Sequence, residues 1–124
     1  MKDRWRSRRI GIDIDSHNRL NLLKTYFNAR YFFPGARIEV KATAQGFHFR
    51  IFQQHTIKQN LKVRMALGDD PMRIFADEQR MYIGLEEWVD TLFSVKAKGG
   101  KINRERDCNV LSLPFCSRLP CRKN

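Results

Sequence analysis

The sequence predicts an α+β fold in which a single sheet carries helices on one of its faces. Three observations lead there. Isoleucines alternate with Gly11, Asp13 and Asp15 in Arg9-Ile10-Gly11-Ile12-Asp13-Ile14-Asp15, the period of a strand with one buried face. Leu20, Leu23 and Phe27, with Leu22 and Tyr26 beside them, then recur at helical spacing. After Pro34-Gly35 the period of two returns, at Ile38 and Val40 and again at Phe47, Phe49 and Ile51. With 124 residues the chain is expected to form one domain with a core of its own.

Taken in order, strand one is expected over about 9–14. A helix follows, capped by Ser16 or Asn18, and stops before Phe33, because Pro34 disfavours helix in the residue preceding it. Strand two is 37–42, Thr43 to Gly46 is a turn, and strand three is 47–52. A second helix runs from about Thr56 to Leu67, with Ile57, Leu61 and Met65 on one stripe and Gly68 as its stop. Gly68 to Pro71 reads as a tight turn into strand four, 72–77. In that turn Asp69 and Asp70 are explained by turn and cap chemistry. A third helix, from Gly84 to about Phe93, is suggested by Leu85, Trp88, Val89 and Leu92. The order is β-α-β-β-α-β, a ferredoxin-like or RRM-like sheet with one open face.

The open face depends on the parity of strand three. If Phe47 and Phe49 faced outward, as in an RNA-binding RRM strand, Arg50 would point into the helices, and burying a guanidinium without a partner is costly. The opposite parity buries Phe47, Phe49 and Ile51 and exposes His48 and Arg50. Asp13 and Asp15, Glu39 and Lys41, and Arg73 and Asp77 then join them on that face. His17 and His55 read as surface residues at helix starts.

Charge is unevenly placed. The net charge is +11. Residues 1–9 carry Lys2, Arg4, Arg6, Arg8 and Arg9 against Asp3. Residues 95–124 carry Lys96, Lys98, Lys101, Arg104, Arg106, Arg118, Arg122 and Lys123 against Glu105 and Asp107. The stretch between is nearly neutral. The predicted organisation is therefore a basic N-terminal arm (1–8), a domain (9–95) and a basic, cysteine-containing tail (96–124). Gly99-Gly100 reads as a flexible joint. Basic arms favour a polyanion, DNA or RNA, through neutralised phosphates and released counterions. Arg4, Arg6, Arg8, Arg9, Lys96, Lys98 and Lys101 are the candidate contacts. No apolar run is long enough to span a membrane, and Gly11 to Asp15 interrupts any signal-peptide core, so an intracellular protein is expected. Cys108, Cys116 and Cys121 form no CxxC pair and have no histidine nearby. Their odd count and loose spacing suit a reducing interior better than a disulfide scaffold.

Asp13-Ile14-Asp15 on a first strand, Lys41 on a second, Gly46-Phe47-His48 opening a third and Ile74-Phe75-Ala76-Asp77 further on occur in a telling order. Over roughly residues 9–80 this order resembles the archaeo-eukaryotic primase superfamily, which includes the polymerase domains of bacterial end-joining ligases. The resemblance implies a palm in which Asp13, Asp15 and Asp77 hold Mg²⁺ or Mn²⁺ and serve catalysis. His48, Lys41, Arg50 and Arg73 would meet the phosphates of a nucleoside triphosphate. It also implies a nucleic-acid-binding protein of replication, possessing in its catalytic form a nucleotidyltransferase activity. The alternatives are a non-catalytic RRM-like DNA- or RNA-binding module and a structural subunit of a ribonucleoprotein, and a protein partner fits either.

Overall fold

The computed structural model describes residues 9–92 and 102–108, together with the backbone of 5–6, 95–98 and 101. In chain order the elements are β1 (Trp5–Arg6), β2 (Ile10–Ile14), α1 (Arg19–Phe32), β3 (Arg37–Ala42), β4 (Phe47–Phe52), β5 (His55–Thr56), α2 (Ile57–Ala66), α3 (Pro71–Tyr82), a 3-10 turn at Glu86–Trp88, β6 (Val95–Lys98), β7 (Lys101–Arg104) and β8 (Arg106–Asp107). The fold is α+β. An antiparallel sheet runs in the order β2-β4-β3-β8, with helices packed against it. Two small ribbons, β1 with β5 and β6 with β7, stand apart from that sheet. Among the described residues no helix is long and apolar enough to cross a membrane.

Local chemistry accounts for the helix ends. The Asn18 side chain accepts from the backbone N–H of Leu20 at 2.8 Å and caps α1. Thr56 and Gln59 form a reciprocal capping box at the start of α2. Gly68, at φ +84°, ends that helix where a side chain would be strained.

The parity of the central strand follows the expectation. Phe47, Phe49 and Ile51 of β4 join Ile10, Ile12 and Ile14 of β2 and Val40 and Ala42 of β3 in the core, under Leu22 and Ala29 of α1 and Leu67 after α2. Gly46 is forced by a close approach: a Cβ there would lie 1.8 Å from the Ile14 carbonyl oxygen.

Two expectations fail. Residues 72–77, read as strand four, lie within helix α3. Asp70-Pro71 is a start signal rather than a turn into a strand: the Asp70 carboxylate accepts from Met72 N–H at 2.9 Å, and Pro71 occupies the first turn, where a missing N–H does no harm. The β-α-β-β-α-β order therefore breaks after α2. Of the expected third helix over 84–93, the described residues 84–92 hold only the 3-10 turn at Glu86–Trp88, and Phe93 lies outside them. Beyond residue 95, β8 pairs with β3 through Lys41↔Asp107 and Ala42↔Arg106. Cys108 packs against the core and is disulfide-bonded, whereas the odd cysteine count favoured a reducing interior over a disulfide scaffold.

Candidate functional site

Residues that alternate with the core positions form the second face of the sheet. The register places Gly11, Arg50 and Glu39 in one row and Asp13, His48 and Lys41 in the next. This face is not open, as the sequence suggested. His48 and Arg50 are 1% and 6% exposed, because later segments of the chain close over them. Glu105, just before β8, accepts from Arg50 through both oxygens, at 2.9 and 2.6 Å, and its Oε2 lies 2.5 Å from His48 Nδ1. Glu39 adds a contact to Arg50 at 3.3 Å. Burial pushes the Glu105 carboxyl up, but Arg50 and His48 outweigh it and hold it below the usual carboxylate range. On its other side the His48 ring faces Asp13, with Nε2 3.5 Å from Oδ1.

β2 lies at the end of the sheet order, so its outer edge pairs with no strand among the described residues. Side chains satisfy it instead. Gly11 N–H donates to Asp90 Oδ2 at 2.8 Å, and the Gly11 carbonyl accepts from Arg73 at 3.2 Å. Asp13 N–H donates to Asp69 Oδ1 at 2.7 Å, and the Asp13 carbonyl accepts from Asp70 N–H at 3.2 Å. Every edge group of those two residues thus has a partner, as buried backbone requires. Gly11 is needed for this: a Cβ would come within 2.6 Å of Asp90 Oδ1 and 2.7 Å of Leu92 Cδ1.

Behind the edge lies a buried ionic network. Arg64, wholly buried, donates to Asp69 at 2.8 Å and pairs with Asp77 at 2.7 Å. Arg73 bridges Asp69 at 2.8 Å and Asp90 at 2.9 Å. Arg80 reaches Asp77 at 2.6 Å, and the Asp90 N–H donates to Asp77 Oδ2 at 2.9 Å. Asp90 holds φ at 61°, a left-handed conformation that aspartate tolerates better than most residues. Burial opposes ionisation of Asp77, yet the Asp90 N–H, Arg64 and Arg80 keep its carboxyl below the ordinary range. Burial lowers the pKa of the Arg73 guanidinium, but Asp69 and Asp90 more than compensate and raise it. His55, expected on the surface, is 2% exposed and sits between the Gln53 carbonyl and the Asn60 amide.

A cleft of about 620 Å³ opens between the sheet and α3. Asp13, His48, Arg73, Asp77, Arg80 and Trp88 line it. Four of the residues singled out in the sequence therefore meet there: Asp13, His48, Arg73 and Asp77. The others do not. Asp15 lies exposed beyond the end of β2. Lys41 pairs with Asp107 across β3 and β8, and this contact raises the lysine's pKa. Arg50 is committed to Glu105. Of the expected nucleic-acid contacts, Arg4 and Arg8 lie outside the described residues. Arg6, Lys96, Lys98 and Lys101 are placed by backbone alone, on β1, β6 and β7.

The metal triad implied by the primase resemblance does not fit this arrangement. Both Asp77 oxygens are taken by Arg64, Arg80 and the Asp90 N–H. Among the described residues no three His, Cys, Asp or Glu side chains are placed to share one ion. Sequence reasoning missed Glu105, Asp69, Asp90, Arg64 and Arg80. Only Asp70-Pro71, as a helix start, was available to relocate Arg73, Asp77 and Arg80. Compared with protein-family models, with curated proteins and with solved structures, the chain shows no significant match.

Proposed function

We propose that the protein binds nucleic acid through its terminal basic segments, using the α+β core as the body that positions them. One observation carries the reading. Residues 95–124 hold two carboxylates, Glu105 and Asp107, and both are drawn to core cations: Glu105 to Arg50, and Asp107 to Lys41. In sequence, eight lysines and arginines of that segment stand against those two carboxylates. At the other end Asp3 alone stands against five cations. Such an excess favours a polyanion whose phosphates release counterions on binding. Core arginines are poor candidates, because their charge is already matched by Asp69, Asp77, Asp90 and Glu105.

The test neutralises charge without cutting the chain, since a cut at residue 94 would also remove Glu105. Lys2, Arg4, Arg6, Arg8, Arg118, Arg122 and Lys123 are changed to Gln in the full-length protein, and binding to a labelled oligonucleotide is followed by fluorescence anisotropy. The reading expects affinity to fall by tenfold or more, with the melting temperature unchanged. Equal affinity in the neutralised protein would sink it.

A second reading, nucleotide binding in the cleft, is favoured by the placement of Asp13 beside His48 with Arg80 nearby. It keeps part of the primase-like expectation. A metal-dependent transferase would further require Asp77 to leave Arg64 and Arg80. Calorimetric titration of Mn²⁺, with and without a nucleoside triphosphate, separates the cases. Saturable binding of the triphosphate that disappears in His48→Ala supports the second reading, and no heat in either titration removes it.

A further inference from the structure

Helix α1 turns Leu22, Thr25 and Ala29 into the protein and carries exposed aromatic rings on its other side. Leu20, Lys24, Phe27 and Tyr31 follow one another at helical spacing, so they form one outward stripe. Phe27 is 59% and Tyr31 83% exposed, and Leu20 and Phe32 are exposed as well. Inner rings brace the outer ones. Phe27 meets Tyr26 edge-on with centroids 5.7 Å apart, Tyr31 meets Phe32 edge-on at 6.0 Å, and Phe32 lies 6.4 Å from Phe33. Tyr26 and Phe33 in turn pack against the core. The exposed rings are thereby tied to the body of the protein, which lowers the entropy lost when a ligand stacks on them.

The same helix is cationic. It holds Arg19, Lys24 and Arg30 and no aspartate or glutamate. Lys24 is exposed within the stripe, and among the described residues no carboxylate pairs with it or with Arg30. Arg30 donates instead to the Pro34 and Ala36 carbonyls and to the Tyr26 hydroxyl, with its guanidinium 5.5 Å from the Tyr26 ring centroid. Lys24 and Arg30 differ in this from Arg50, Arg64, Arg73 and Arg80, each of which is held by a carboxylate. Beside the stripe lies a cavity of about 300 Å³, lined by Asn21, Lys24 and Asn28 of α1 and by the end of α2.

Resting on the nucleic-acid reading above, we propose that a single strand of nucleic acid lies along α1, with bases stacked on Phe27 and Tyr31 and phosphates set against Lys24 and Arg30. Aromatic rings interleaved with cations hold a single strand whatever its sequence, because every base has a face to stack and the backbone needs only positive charge. A duplex keeps its bases stacked on one another and offers these rings nothing. Two other occupants fit less well. A second copy would press two acid-free helices together and desolvate Lys24 beside like charge. A lipid surface would take the rings and the cations, but it would press the neighbouring Asn21 and Asn28 amides into a medium without partners for them. Against a strand those amides meet base edges, and the cavity they line is open to a base. The terminal segments supply the charge that draws the polyanion in, and α1 supplies the preference for unpaired bases.

The experiment uses the full chain and four probes: a labelled single-stranded oligonucleotide, an abasic strand of equal length, the corresponding duplex, and vesicles of phosphatidylcholine with phosphatidylserine. The proteins are wild type, the double variant Phe27→Ala, Tyr31→Ala, and Lys24→Gln. Both rings are exposed, so melting temperatures should stay at the wild-type value and separate lost binding from lost fold. Wild type should favour the base-bearing strand over the abasic strand and the duplex by about tenfold or more. The double variant should lose at least about tenfold on the base-bearing strand, with its affinity for the abasic strand and its slope of log affinity against log salt unchanged, since no phosphate contact is removed. Lys24→Gln should make that slope shallower by about 0.7, the amount per neutralised phosphate on a single strand. A double variant with wild-type affinity for the strand, or a wild type that holds the abasic strand or the duplex as tightly, overturns the α1 assignment and leaves the nucleic-acid reading standing. Should the double variant lose vesicle binding or self-association while keeping its affinity for the strand, the face belongs to lipid or to a second copy, and the assignment again falls. If wild type binds no oligonucleotide at all, the nucleic-acid reading falls with it.

Discussion

Cations in the core and cations in the terminal segments have opposite circumstances. Between residues 10 and 94 basic and acidic residues nearly balance, and the buried ones are matched in place: Arg64 by Asp69 and Asp77, Arg73 by Asp69 and Asp90, Arg50 by Glu105. In the terminal segments basic residues far outnumber acids, and of those few acids Glu105 turns inward to Arg50 while Asp107 meets Lys41 at the surface. The difference shows that a charge run in a sequence says little until the whereabouts of its counter-charges are known. Here the core takes one carboxylate of the C-terminal segment, Glu105, for its own buried Arg50.

The largest expected effect breaks the core side of this comparison. Arg64→Met should destabilise the protein by about 3 kcal/mol or more, because it leaves Asp69 and Asp77 buried without their shared partner. Chemical denaturation measures it. A loss under 1 kcal/mol would mean that the network is bystander chemistry. Next comes Arg50→Ala, which strands Glu105 and His48, with an expected loss of about 2–4 kcal/mol. A sequence reading that leaves Arg50 exposed expects almost none, so this variant separates the closed face from an open one.

Acid should act on the same groups. Asp77 and Glu105 titrate lower in the folded chain than in the unfolded one. The stability they contribute is therefore complete above their ordinary carboxylate pKa values. It is lost as pH falls from about 4.5 through their depressed folded values. Melts from pH 7 down to 3 should show a plateau and then a decline. Glu105→Gln should start lower and decline less steeply. A decline as steep as that of wild type would show that Glu105 contributes nothing to it.

The smallest expected effect belongs to the surface. Lys41 and Asp107 touch, but Asp107 is almost wholly exposed. Asp107→Asn should cost under about 1 kcal/mol at moderate salt. A larger loss would make β8 an essential strand held by that pair.

How much of this was legible depends on which force placed each residue. Ile10, Ile12, Ile14, Phe47, Phe49 and Ile51 declared their face through alternation, since burial of apolar area is local to the strand and readable from period. Asn18, Thr56 and Gly68 declared the helix ends. Ile74, Phe75 and Ala76 misled, because a short apolar run does not distinguish strand from helix, and Asp70-Pro71 carried the decisive signal. The closed polar face was not readable at all. Its burial comes from Glu105 and the segment 89–92 folding back over His48 and Arg50, contacts between residues tens of positions apart with no local pattern. Asp77 shows the consequence: in sequence it completes an acidic triad with Asp13 and Asp15, and in the fold it is an arginine's partner.

The central proposal is that the terminal cations bind polyanions, and the affinity of the full-length protein for a DNA duplex across a range of salt concentrations tests it most directly. The account predicts a straight line of log affinity against log salt with a slope of about −4.5 or steeper, the signature of about five or more neutralised phosphates. A flat line, or no binding at low salt, would contradict it.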